Sequence, residues 1–212
     1  MGDRLCAVES LAQVKLRWQR MLEGVARQLS LPIAMINVLH GSDLVVLGLT
    51  DEHRLFRQGQ RIALAVNSYC ASVLTKGEDL FVSDVRRLPC AADGNPVAGL
   101  GLIHYYGEPI RDPKGGVVGT VCVMDDRPRS DAPGIRSLVS LMREAIEHDL
   151  SMLLHARRLE RLNQELMRSA QSLFEAIGRA GLATPEQLTA HGFSDMDVQS
   201  LKAFAGTVAT SR

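Results

Sequence analysis

The stretch from Ile135 to Ile177 contains neither proline nor glycine. Apolar residues recur in it at Ile135, Leu138, Met142, Ile146, Leu150 and Leu153, then at Leu159, Leu162, Leu166, Ala170, Leu173 and Ile177. That spacing predicts one stripe of a helix. At ~1.5 Å per residue the helix would run roughly 65 Å, against the ~30 Å diameter of a small domain. It must leave the body of the domain or fold back on a break. Charged faces such as "RRLERLNQE" beside the stripe predict a coiled-coil seam joining two copies. The other arrangement the pattern allows is a pair of core helices broken between His155 and Arg158.

The residues before it hold the rest of the organisation. Leu11, Val14, Trp18, Met21, Leu22, Val25 and Leu29 share one helical stripe, which Ser30, Leu31 and Pro32 end, because the residue before a proline avoids helical angles. "PIAMINVLH", the polar "HGSD" and "LVVLGLT" read as a β-hairpin. "SYCASVLTKG" reads as a short helix closed by Gly77 and "DLFVSD" as a brief strand, with a polar loop from Val85 to about Gly99. The strongest hairpin follows: "LIHYYGEPI", the turn "RDPKGG" with Pro113 and Gly115, then "VVGTVCVMDD". Asp126 to Gly134 is a breaker-rich link. The chain thus divides into a helix over 1–30, a core over 31–128, the long helix over 129–180 and a small helical tail over 181–212, where "TPEQ" and "SDMD" look like helix starts.

Charge and cysteines narrow the classes of function. Twenty-four basic residues balance twenty-four acidic ones, so no net field draws the chain to nucleic acid or anionic lipid. "TPEQLTAHGFSDMDVQSLKAF" imitates a helix-turn-helix, but Glu186, Asp195 and Asp197 outweigh Lys202, so no DNA partner is expected. No apolar run reaches the ~18 residues of a membrane span, and "MGDRLCAVES" lacks a signal-peptide layout. A cytoplasmic protein without a membrane partner is expected. Cys6, Cys70, Cys90 and Cys122 lie far apart, so reduced thiols are expected rather than a disulfide framework.

Residues 31–128 resemble the GAF domain family, especially its bacterial signalling type. The phrases that carry the resemblance are "NSYCASVL", "LFVSDVRRLP" with "NPVAG" eleven residues after Asp84, "HYYGEPI", and "GGVVGTVCVMDDRPR", in order and suitably spaced. The resemblance implies an α+β fold: an antiparallel sheet of about six strands, the first and long last helices on one face, shorter helices and loops on the other. It also implies a cavity between sheet and loops, used in the family for cyclic nucleotides, bilins, haem, small anions or metabolites. Free methionine-R-sulfoxide reductases resemble this fold too, and Cys70 matches one of their cysteines, with Cys90 in the loop that carries another. The words around both differ here, which leaves Cys70 expected to pack beside a guest rather than to attack one.

The resemblance and the alternation of the strands nominate ligand-contacting residues: Asn67, Ser68, Tyr69 and Cys70 at the short helix, Asp84 after the brief strand, His104, Tyr105 and Tyr106 in the central hairpin, and Cys122 and Met124 in its partner. Period-two alternation puts His104, Tyr106 and Glu108 on one face and Tyr105 on the other. The six histidines show no zinc spacing, and the cyclic-nucleotide signature, a dinucleotide fingerprint from Gly99 and Gly101, and a bilin-type Cys-His pair are all missing. The expected function is a non-enzymatic sensor of a small molecule, without metal or nucleotide motif. It would work as a homodimer and pass its signal to another protein, with a thiol-dependent reductase as the alternative.

Overall fold

A computed structural model describes residues 12–51, 54–64, 69–87, 99–130 and 133–179. The amphipathic N-terminal stripe forms α1, Ala12–Leu29. It ends in a turn that reaches further than the proline rule requires. Ser30 takes φ 50°, its N–H donates to the Arg27 carbonyl (3.2 Å), and the Leu31 N–H reaches back to the Ala26 carbonyl (2.9 Å). These are the two bonds that satisfy a helix end through a left-handed residue.

The first hairpin is β1, Ile33–His40, with β2, Asp43–Asp51, and a bulge between Ile36 and Asn37. A three-residue β3, Arg61–Ala63, extends it; its few residues show no alternation in the sequence. The short helix is α2, Tyr69–Lys76, closed by Gly77, whose φ of 68° would strain any side chain. β4, Leu80–Val82, and a 3₁₀ turn over Val85–Arg87 follow. The strong hairpin is β5, His104–Arg111, and β6, Val117–Asp125, closed by Asp112 N–H to Gly116 carbonyl and Gly115 N–H to Asp112 carbonyl bonds. Among the described residues these six strands make one antiparallel sheet in the order β3-β2-β1-β6-β5-β4. β6 lies between β1 and β5, so its side chains sit at the centre of both faces.

The long helix is α3, Pro133–Arg179, continuous through His155 to Arg158 where a break was the alternative. Two compact units divide within it, residues 1–152 and 153–212. In the first, Ile135, Val139, Met142, Ile146 and Leu150 are buried with Trp18 and Leu22 of α1. Each such aliphatic side chain contributes about 1.5–3 kcal/mol. Trp18 Nε1 donates to Asp149 Oδ2 at 2.9 Å, and Arg17 pairs with the same carboxylate. In the second unit, Leu159, Leu162 and Leu166 are exposed at three-and-four spacing. No helix among the described residues is long and apolar enough to cross a membrane. The predicted tail, residues 181–212, lies outside the described residues.

Candidate functional site

Strand alternation sorts the nominated residues onto two faces. Ile33, Met35, Val46, Tyr105, Cys122 and Met124 form an apolar layer with Val73 of α2, joined by the half-buried Tyr69 and Cys70. At the centre of this layer stands a small polar cluster. Cys70, at the start of α2, places its Sγ 3.8 Å from Cys122 Sγ and 3.3 Å from the Tyr105 hydroxyl. Asn37 Nδ2 reaches Cys70 Sγ and Cys122 Sγ, each at 3.8 Å, and Thr120 Oγ1 at 3.4 Å. The register explains the convergence: Asn37 pairs with Thr120, Met35 with Cys122, and Tyr105 with Met124.

Tyr105 reaches Cys70 because the strand is bare two residues on. A Cβ at Gly107 would run into the Tyr105 ring and hydroxyl, so glycine there lets the phenol lie over the strand. The Tyr69 ring leans on it, centroids 5.0 Å apart.

The cluster makes its two sulfurs unequal. The hydrogen bond from Cys122 brings the Cys70 thiol down to about 7, against the opposing effect of burial and with further help from Tyr105, Thr120 and Asn37. The same interaction, together with burial, pushes Cys122 well up. Burial first, then the neighbouring sulfurs, raises Tyr105, which keeps it a phenol able to donate. Of the two sulfurs, Cys70 is therefore the one that ionises first, with Cys122 held as the thiol that donates to it.

His104 and Tyr106 do not reach this cluster; they occupy the opposite face, where α1 and α3 pack. Tyr106 donates to Glu108 Oε1 (2.7 Å), and Glu108 also accepts from Ser140 (2.5 Å) and Arg143 (2.7 Å) of α3. The Arg136 guanidinium lies 5.2 Å over the Tyr106 ring. His104 is buried, with Nδ1 2.8 Å from the Val82 carbonyl and burial lowering its pKa. It is therefore a neutral ring donating through Nδ1. The alternation that separates Tyr105 from its neighbours is legible in the sequence, so one pocket cannot take all three.

Asp84 has a local role. Its carboxylate accepts from the Arg86 backbone N–H (3.0 Å) and guanidinium (2.8 and 2.7 Å), holding the 3₁₀ turn. Arg86 thereby keeps its pKa down at about 2. Asn67, Ser68 and Cys90 lie outside the described residues. Asn37 and Thr120 were missed, although each carries a signal: an amide inside the apolar run "IAMINVL", and a hydroxyl two residues from Cys122 on the same strand face. Among the described residues no three His, Cys, Asp or Glu side chains gather as metal ligands.

Two open grooves lie elsewhere. One of about 620 Å³ runs beside the α1 terminus and Asp125–Arg129, and one of about 480 Å³ lies between Gly77–Asp79 and α3. Both are lined by arginines engaged with carboxylates, such as Arg129 with Asp125 and Arg143 with Glu108.

The model of the GAF domain family matches residues 16–147. No curated protein matches the chain in sequence. Solved structures match it in fold. The GAF domain of an Acinetobacter phosphoenolpyruvate-protein phosphotransferase is similar at TM-score 0.53 and 12% identity, over 68% of this chain and 84% of that one. A domain of a putative two-component sensor histidine kinase protein from Sinorhizobium meliloti 1021 is similar at 0.54 and 13%, over 73% and 99%. The free methionine-R-sulfoxide reductase of Neisseria meningitidis, in complex with its substrate, is similar at 0.53 and 12%, over 64% and 77%. Identities this low bear on the fold alone.

Proposed function

The chain belongs to the GAF domain family, and from that premise we propose that it is a sensory protein holding a small organic molecule against the α2 face of its sheet. Asn37 carries the reading. This side chain is 1% exposed, and its Oδ1 has no hydrogen-bond partner among the described residues. A buried acceptor left bare costs about 1–3 kcal/mol, and a guest with a donor group would recover it. Tyr69, Cys70, Tyr105, Cys122 and Met124 are the proposed walls, with Asn37 and Thr120 as the polar floor. Asn67 and Ser68, next to Tyr69 in the chain, complete the proposed contact set, while His104 and Tyr106 belong to signal transfer.

β5 is the proposed route, since Tyr105 faces the guest and its neighbour Tyr106 is bonded through Glu108 to Ser140 and Arg143 of α3. A guest shifts the helices only by binding one of two packings more tightly. The exposed Leu159, Leu162 and Leu166 support pairing of α3 with a second copy, and the recipient of the signal in this reading is another cytoplasmic protein.

Native mass spectrometry of protein from its own host, followed by thermal shift with the retained compound or a metabolite library, tests the proposal. The expected result is a compound that raises the melting temperature of the unaltered protein but not of Asn37→Leu, itself no less stable without the compound. Finding no such compound would sink the reading. One observation favours an enzyme instead: the Cys70 thiol is lowered to about 7, near the pH at which a nucleophile works. NADPH-coupled turnover of free methionine sulfoxide, lost in Cys70→Ala, would select that alternative.

A further inference from the structure

We infer that Cys70 and Cys122 form a hydroperoxide-oxidisable dithiol, closing to an intramolecular disulfide that ties α2 to the central strand β6. The inference goes beyond ligand sensing and holds whether or not a guest binds. Four observations carry it. The sulfurs are 3.8 Å apart, within about 2 Å of a disulfide bond length. Cys70 is partly exposed, whereas Cys122 is wholly buried beneath it, so of the two Cys70 is the one a small oxidant meets first. Donors from Tyr105 and Asn37 surround Cys70 and favour its ionised form. Finally, α2 is only eight residues long and buries only Val73 completely, so little packing opposes a shift of its first turn toward the sheet.

The chemistry balances with hydrogen peroxide as oxidant. The Cys70 thiolate attacks one peroxide oxygen, the O–O bond breaks, and hydroxide leaves and takes up a proton to become water. Cys70 is then a sulfenic acid. Cys122 gives up its proton, its sulfur attacks the Cys70 sulfur, the S–O bond breaks, and the departing hydroxide takes that proton as a second water. Two thiols lose two electrons and one peroxide becomes two waters. A dithiol reductant reverses the change. Closure converts the two sulfurs that Asn37 Nδ2 reaches from thiols into a disulfide, so the oxidised site presents a different floor to any guest.

The test uses full-length reduced protein treated with hydrogen peroxide, alkylated, digested with trypsin and mapped by mass spectrometry without reduction. The expected result is a cross-link between the peptides Ile62–Lys76 and Gly115–Arg129, with the free thiol count falling from the four of the sequence to about two and recovering with dithiothreitol. In Cys122→Ser the Cys70 sulfenic acid should persist and be trapped by dimedone. A cross-link from the Cys70 peptide to the one carrying Cys90 or to a second copy, or Cys70 oxidised further with Cys122 still free, would overturn the inference. The unaltered protein alone decides these outcomes, so a variant that fails to fold does not protect it, and an empty ligand screen leaves it standing.

Discussion

Cys70 owes its chemistry to neighbours contributed by three strands, and the cleanest check is its titration. Alkylation of Cys70 by iodoacetamide, followed by peptide mass spectrometry across pH 5–10, should rise with a midpoint of about 7 rather than the ~8.5 of a free thiol. Lowered pKa means that the reactive ion persists down to that midpoint and vanishes below it. Tyr105→Phe removes one donor to the ion and should move the midpoint up; a midpoint of ~8.5 in the unaltered protein would show that the cluster does not stabilise it. At this scale much of the site is readable in advance. Cys70, Tyr105, Cys122 and Met124 can be named from short phrases, and alternation alone parts Tyr105 from Tyr106. What cannot be read is that two cysteines 52 positions apart meet, because that depends on how β6 is flanked by β1 and on where α2 lands. Asn37 escapes notice for the same reason: its importance lies in what faces it across the strands.

The elements themselves follow from periodicity where they are long. α1 and α3 announce themselves by three-and-four spacing, both hairpins by apolar runs on either side of a polar turn, and Gly77 marks the end of α2. β3 does not, since three residues carry no period and only pairing with β2 makes them a strand. Between β5 and α3 the decisive contact is Glu108, 6% exposed and bonded to Tyr106, Ser140 and Arg143. Arg143→Ala leaves that carboxylate buried without its cation and should destabilise the protein by ~3 kcal/mol in urea denaturation. Changing Glu108 to alanine as well should cost less than the sum of the two single changes, as expected for one interaction counted twice. Strict additivity would mean that strand and helix are not coupled through this pair.

For the molecule as a whole, the long Pro- and Gly-free run marks the helical stretch but leaves a break between His155 and Arg158 open, which the structure decides in favour of one helix, and the division into two compact units at Met152 and Leu153 has no punctuation in the sequence to mark it. The proposed pairing of copies belongs to this scale. Leu159→Lys with Leu166→Lys puts charge on the exposed stripe and should halve the mass measured by light scattering while leaving residues 12–152 folded. A monomeric unaltered protein would refute the pairing. β5 carries a further consequence. Because adjoining rings point to opposite sides of it, a single peptide unit is all that separates sulfur chemistry from helix anchoring. In the proposed sensor, a guest that tilts one phenol would pull on the backbone beneath the other, and no longer relay would be required.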